Sequence, residues 1–328
     1  MSVLAPPRPG PTRPHPAFFR RSPLAVFIVK RVVQAVVVLF FVATVAFFVI
    51  RLSGDPVRAL LPENATIEQE RALRHTLGYD RPLITQYLSY LNGLVHLNFG
   101  QSVFFQQPAL DVIMNRLPAT IRLAFAALVF ALVVSIPAGI ISAVRRGRAT
   151  DSSVMAVVLV GQSTPAFVVG IVLILIFAVQ LGVLPASGIG GFAHLILPAV
   201  TLGLYSAAMI ARLLRSSLID VLGEDHIRTA KAKGLSPMRV ILGNGLRNAA
   251  LPVVTIVGLE IGSLLGGAIL TEQVFSWPGV GRLTIEAITN RDYPLMQATV
   301  LFLAIVFVGV NLIVDLLYTF LDPRVRLS

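Results

Sequence analysis

Few side chains in this sequence have the type and spacing for bond-making chemistry. The three lysines, Lys30, Lys231 and Lys233, all follow a residue other than glycine. The Gly-Lys-Ser/Thr loop that cradles nucleotide phosphates is therefore missing. The five histidines, His15, His75, His96, His194 and His226, form no pair at helical metal-ligand spacing. Asp220, Glu224, Asp225 and His226 crowd one segment and suggest either a metal site or solvated charges. No outer ring of partners completes a metal site there, which favours solvated charges. The chain has no cysteine, so thiolate ligands, disulfides and cysteine nucleophiles are excluded together. It also lacks a Gly-x-Ser-x-Gly elbow. The remaining chemical oddity is Glu260, an acid within an apolar run. Gly258, Gly262 and Gly266 form a small-residue stripe there that admits a neighbouring helix. At 100° per residue, Glu260 lies about 160° from the stripe's centre. It faces either a polar partner or an aqueous path.

The elements that hold these residues follow from composition. The chain has 328 residues, 55% hydrophobic and 13% charged, with mean hydropathy +0.81. A soluble domain carries about 25% charged residues. A hydrocarbon core about 30 Å thick takes roughly 20 apolar helical residues. Such runs predict an all-α polytopic membrane protein with six transmembrane helices, near 32–50, 121–144, 154–181, 195–214, 251–271 and 297–320. The uncharged stretch 152–211 is too long for one span. Leu184-Pro185-Ala186-Ser187-Gly188 and Gly190-Gly191 divide it in two. Eighteen of the 27 Lys and Arg residues, with five acids, fall on the side that holds both termini; the other side has nine of each. The positive-inside rule places that basic side in the cytoplasm. A net charge of +11 thus reports topology and not nucleic-acid binding.

The first 24 residues are a basic, Pro-rich arm. Residues 25–328 form the transmembrane domain. An external cap spans 51–118. Within it, Thr66 and Gln69 have capping-box spacing, Gly78 suits a helix end, and Pro82 opens an amphipathic stretch through Tyr87, Leu88, Leu91 and Val95. That stretch packs on the span ends or docks a soluble partner; packing is the simpler reading. A second external loop, 272–296, contains Phe275-Ser276-Trp277-Pro278-Gly279-Val280-Gly281. Its single Trp reads either as an interfacial anchor or as part of a loop folded over a pathway. In the cytoplasmic segment 212–250, Asp225 to Lys233 favours helix and Gly234 is a natural stop.

These residues resemble a known family, the B-type membrane subunits of dipeptide, oligopeptide and nickel ABC importers. The resemblance rests on Arg51-Leu52-Ser53-Gly54-Asp55-Pro56, Arg116-Leu117-Pro118-Ala119-Thr120, Thr164-Pro165-Ala166-Phe167 and the Leu184 to Gly188 segment. It continues through Arg228-Thr229-Ala230-Lys231-Ala232-Lys233-Gly234, Arg247-Asn248-Ala249-Ala250-Leu251-Pro252, the Phe275 to Gly281 loop and Leu321-Asp322-Pro323-Arg324. It implies a type I importer permease, non-catalytic, in the cytoplasmic membrane of a bacterium or archaeon. A second homologous permease chain, two ATP-binding subunits and an extracytoplasmic binding protein would be its partners. No cofactor would sit in this chain; ATP and Mg would belong to the ATPase subunits. Asp225, Arg228, Thr229, Ala230, Lys231, Lys233 and Gly234 would carry ATPase coupling. Arg228 and Thr229 stand where other importers have Glu-Ala. Phe275, Trp277, Pro278, Gly279 and Gly281 would form an external gate or docking loop. Di- or oligopeptide is the expected cargo, with nickel chelate, glutathione or oligosaccharide as alternatives. A secondary transporter working alone is disfavoured, because no clear internal repeat accompanies Glu260.

The charge asymmetry predicts that single cysteines at positions 4 and 327 stay unlabelled by an impermeant thiol reagent in intact cells. Labelling at either position would reverse the topology.

Overall fold

The structure, a computed structural model, describes residues 23–52, 57–58, 61, 65–76 and 78–321. The Pro-rich arm through position 22, the Ser53-Gly54-Asp55-Pro56 motif and the basic tail from Asp322 lie outside the described residues. Every named element is helical. They are α1 Pro23–Leu52, α2 Ile67–Thr76, α3 Leu83–Val95, α4 Ala109–Val144, α5 Ala149–Ser163, α6 Ala166–Leu173 with a π-helical continuation Ile174–Gln180, α7 Phe192–Leu222 and α8 Asp225–Ala232. After Pro237–Arg239 and the π-helical turn Val240–Gly245 come α9 Leu246–Val274, α10 Val280–Thr289 and α11 Tyr293–Leu321.

Helix starts and stops follow local chemistry. At α2 the Thr66 hydroxyl accepts from the Gln69 N–H at 3.3 Å, and the Gln69 side chain accepts from the Thr66 N–H at 2.9 Å. This is the reciprocal box its spacing predicts. Gly78 takes φ +71° just beyond that helix. Cap helix α3 lies against α1: the Thr44 and Tyr87 hydroxyls meet at 2.7 Å, and Phe47 stacks edge-on with Tyr87. Leu88 and Val95 remain exposed. Near the other end of α1, Arg31 pairs with Asp315 of α11 at 3.1 Å. The start of α1 and the end of α11 therefore share one face of the bundle.

Helices α4 and α7 form the longest shared seam among the described residues. The seam is built from small side chains. Ala127 and Ala131 of α4 and Ala207 and Ala211 of α7 are buried. A Cβ on Gly203 would overlap the Ala127 carbonyl oxygen, and one on Gly139 would sit 3.0 Å from the Ala211 carbonyl. Without a solvent-driven force between helices in lipid, such close backbone approach supplies the packing energy. Three apolar clusters stack along this pair. One contains Val280 and Leu295, a middle one Leu123 and Trp277, and a third Leu214, Leu218 and Ile227.

The structure differs from the apolar-run reading in two respects. Among the described residues, five helices are each long and apolar enough to cross a bilayer, and the sixth candidate is a bent pair. The single span expected over 154–181 is broken into α5 and α6, whose axes diverge by 106°. Pro165 has no N–H to continue the ladder and drives Thr164 out of the helical region, to φ −90° and ψ 126°. Helices also outrun their apolar windows: α4 begins at Ala109, not near 121, because helix persists where a span leaves hydrocarbon.

The seam predicts a contrast between two glycines. Gly203→Ala forces the helices apart and lowers stability by about 1–3 kcal/mol, the usual cost of overpacking, read as a reduced Tm in detergent. Gly266→Ala, with nothing within 4 Å of its new Cβ, leaves Tm unchanged or slightly higher.

Candidate functional site

Two places gather the candidate residues, one at each end of the α4–α7 pair. The outer one is a polar knot around Glu272, in the last turn of α9. Its side chain is fully buried. One carboxylate oxygen accepts from the Thr120 hydroxyl of α4 at 2.7 Å, the other from the Arg282 N–H of α10 at 2.9 Å. Thr120 in turn accepts from the Val280 N–H at 2.8 Å. The carboxylate and the hydroxyl thus satisfy the unpaired donors at the α10 N-terminus, where negative charge is favoured. Between them lies the Phe275 to Gly281 loop. The Trp277 indole donates to the Ala119 carbonyl at 2.9 Å, and the Gly188 N–H donates to the Phe275 carbonyl at 2.9 Å. Pro278 leads into Gly279, where any Cβ would collide with the Glu272 carboxylate; a Cβ on Gly281 would lie 2.7 Å from Ile269 Cα.

The loop therefore folds back into the helices. Phe275 and Trp277 are 1% and 3% exposed, which leaves Trp277 no surface for an interfacial anchor. Sequence reasoning singled out the loop but missed Glu272 and Thr120, which hold it. The available signal was an acid at a span end followed by a Trp-Pro-Gly turn into a new helix. Asp292 was also missed. It is buried just before α11, and its carboxylate accepts from the Ser102 hydroxyl and from the Phe104 and Leu295 N–H groups. It ties a third connection to the same end.

The inner place is α8. The helix occupies Asp225–Ala232, Lys233 caps it and Gly234 leaves with φ +75°, the left-handed exit its position predicts. Asp225, Arg228, Thr229, Lys231 and Lys233 are exposed. Arg228 reaches back to Asp225 at 3.3 Å. Ala230, named with the coupling residues, is the exception: with Ile227 it turns inward, joining the cluster formed by Leu218, Val240 and Ala249. The helix is thereby fixed to the ends of α7 and α9. Close by, Asp151 at the start of α5 receives a bidentate Arg215 from α7, at 2.7 and 2.8 Å, and also accepts from the Ser142 hydroxyl of α4. That pair, with its carboxylate buried, locks three helices together, and sequence spacing gave no sign of it. His226 bridges Glu224 at 3.0 Å and Asn248 at 3.1 Å.

The structure does not bring Glu260 to either place. Its carboxylate accepts from the Ser206 hydroxyl in the α7–α9 contact, and the residue is buried. The glycine stripe looks the other way. A Cβ on Gly258 would lie 2.7 Å from Val314 of α11, and one on Gly262 3.5 Å from Asn311, whereas Gly266 faces open space. The opposite faces inferred from helical geometry are present, and of the two readings of Glu260 the polar partner is the one the contacts supply.

The chain is similar to known proteins. Residues 135–327 match the model of the binding-protein-dependent transport system inner membrane component, and residues 24–124 match that family's N-terminal model. The chain is 42% identical over 301 residues to the glutathione transport system permease protein GsiC of Escherichia coli strain K12, covering 92% of this chain and 98% of that one. The GsiC protein of Shigella flexneri serotype 5b, strain 8401, matches to the same extent. Among solved structures, two inward-facing forms of the MetNI methionine ABC transporter superpose with TM-scores of 0.53 and 0.56. Each is 20% identical, and they cover 65% and 64% of this chain and 97% and 96% of theirs; at that identity they establish the fold. The chain belongs to the binding-protein-dependent transport system inner membrane components, the membrane-spanning permease subunits of ABC importers.

Proposed function

We propose that this permease forms one half of the translocation pathway of a short-peptide importer, with both termini in the cytoplasm and no catalytic group or cofactor of its own. A second homologous permease chain completes the pathway. Two ATP-binding subunits, which hold ATP and Mg, drive it from the cytoplasm, and an extracytoplasmic binding protein delivers cargo. The glutathione transport named for its relatives supports a peptide substrate, since glutathione is a tripeptide.

The observation that carries this reading is the two-sided character of α8. Ile227 and Ala230 fasten it to the apolar cluster shared by α7 and α9, while Arg228, Thr229 and Lys231 face outward. A short helix satisfies its own backbone and offers a rigid cationic knob. Pushing that knob moves two helices together. Its exposed charges suit an acidic groove rim on an ATPase, where complementary charge governs docking rate and register. At the opposite end, the Glu272 knot makes 275–281 a lid fixed to α4 and α9, so movement of those helices moves the lid.

The decisive measurement uses the assembled importer. Arg228→Glu combined with Lys231→Glu is expected to reduce binding-protein-stimulated ATPase and glutathione uptake about tenfold, as expected for reversing a docking charge pattern, with this subunit still inserted normally. Unchanged stimulation and uptake would reduce α8 to a solvated turn. For the lid, Thr120→Val strips Glu272 and the Val280 N–H of one partner each. It should cost about 1–3 kcal/mol, the penalty for buried unsatisfied groups. The Tm in detergent should fall, and Thr120→Ser should restore it.

A further inference from the structure

Beside the outer knot, α4 and the beginning of α7 enclose an open groove of about 710 Å³, with Trp277 at its floor. Arg122 stands at one end; Phe125, Val129 and Val133 descend one face of α4, and Ile196 and Val200 line the α7 side. Arg122 is exposed, and its guanidinium makes no hydrogen bond or ion pair among the described residues. No lining residue is an acid, amide or hydroxyl, and the Trp277 N–H is already committed to the Ala119 carbonyl.

We propose that this groove binds an anionic phospholipid of the outer leaflet, its phosphate on Arg122 and one acyl chain against the α4–α7 surface. Length supports the assignment. At 1.5 Å per residue, Arg122 and Arg145 are ~34 Å apart along α4, close to the ~30 Å thickness of a hydrocarbon core. Arg122 therefore stands at headgroup depth when Arg145 stands at the opposite surface. From Arg122 to Val133 the groove descends ~16 Å by the same rise, about the depth of one leaflet. Chemistry supports it as well. A peptide in this groove would lose water from its amides and find no side-chain partner below Arg122, whereas an acyl chain demands none. A lone cation at the top of an apolar slot complements a phosphate at the top of an acyl chain. The bound lipid would brace the lid from the side on which Trp277 meets α4.

The single tryptophan provides the readout. The full chain is reconstituted in phosphatidylcholine vesicles with increasing fractions of phosphatidylglycerol brominated near the carbonyl end of its chains, and Trp277 fluorescence is followed. Brominated phosphatidylglycerol should half-quench Trp277 at a fraction about fivefold lower than brominated phosphatidylcholine, as one Arg–anion contact at a membrane surface allows. Arg122→Gln should erase that preference while leaving weak quenching by both lipids. Val129→Phe, which fills the groove and keeps the charge, should weaken quenching by both. Equal quenching by the two lipids in the wild type, or a preference that survives Arg122→Gln, overturns the proposal. So does loss of quenching on adding the second permease subunit, which would make this face the subunit interface. The outer-leaflet assignment rests on the proposed orientation. A reversed orientation moves quenching to bromolipid placed only in the other leaflet without abolishing it, and failure of ATPase coupling leaves it untouched.

Discussion

The close contact of α4 with α7 is the constraint on which the rest of the molecule depends. In lipid, two apolar helices gain little from leaving their surroundings, so they must gain from fit. Gly203 against the Ala127 carbonyl and Gly139 against that of Ala211 provide that fit over several turns. Both functional ends are attached to this pair. Thr120 and Ala119 hold the outer lid from α4; Ser142 and Arg215 close the inner ion pair from α4 and α7; and α8 continues directly from α7. The pair acts as a beam between lid and knob, which is what a subunit must contain if work done on one side is to appear on the other.

Among the described residues, buried carboxylates are confined to the ends of this beam and to the α7–α9 contact, and each case solves the same problem. A carboxylate removed from water needs donors. Glu272 finds them in Thr120 and the α10 N-terminus, Asp292 in Ser102 and two N–H groups, and Asp151 in Arg215 and Ser142. Glu260 receives the Ser206 hydroxyl. Each acid joins elements far apart in sequence, so removing the partner is costly, as for any half-satisfied buried polar group. The acids fix the register in which greasy helices, free to slide, must meet.

Features decided by neighbours in sequence were legible before the structure. The Thr66–Gln69 box, the Gly234 exit, the Pro82 opening and the opposed faces of Glu260 and the glycine stripe all follow from geometry within about two helical turns. The apolar runs located the long helices, because hydrocarbon thickness sets a minimum length. Illegible features were those that require knowing which helix lies beside which. The pairing of Glu272 with Thr120, the grip of Arg215 on Asp151 and the inward turn of Ala230 belong to this group. The bend at Thr164–Pro165 is an intermediate case: the local signal was present, yet hydropathy averages across a proline and reports one run.

That bend changes how this permease fits its bilayer. Helix α5 has 15 residues, and α6 with its π-helical continuation another 15, so each limb is only about 22 Å long. With axes 106° apart, the two limbs cannot both stand along the membrane normal. The segment occupies width in the membrane plane that a straight helix of the same length would spend as depth. Whatever lies against this flank must therefore fit an angled surface. Straightening or deepening the bend changes both the width and the depth that the segment fills.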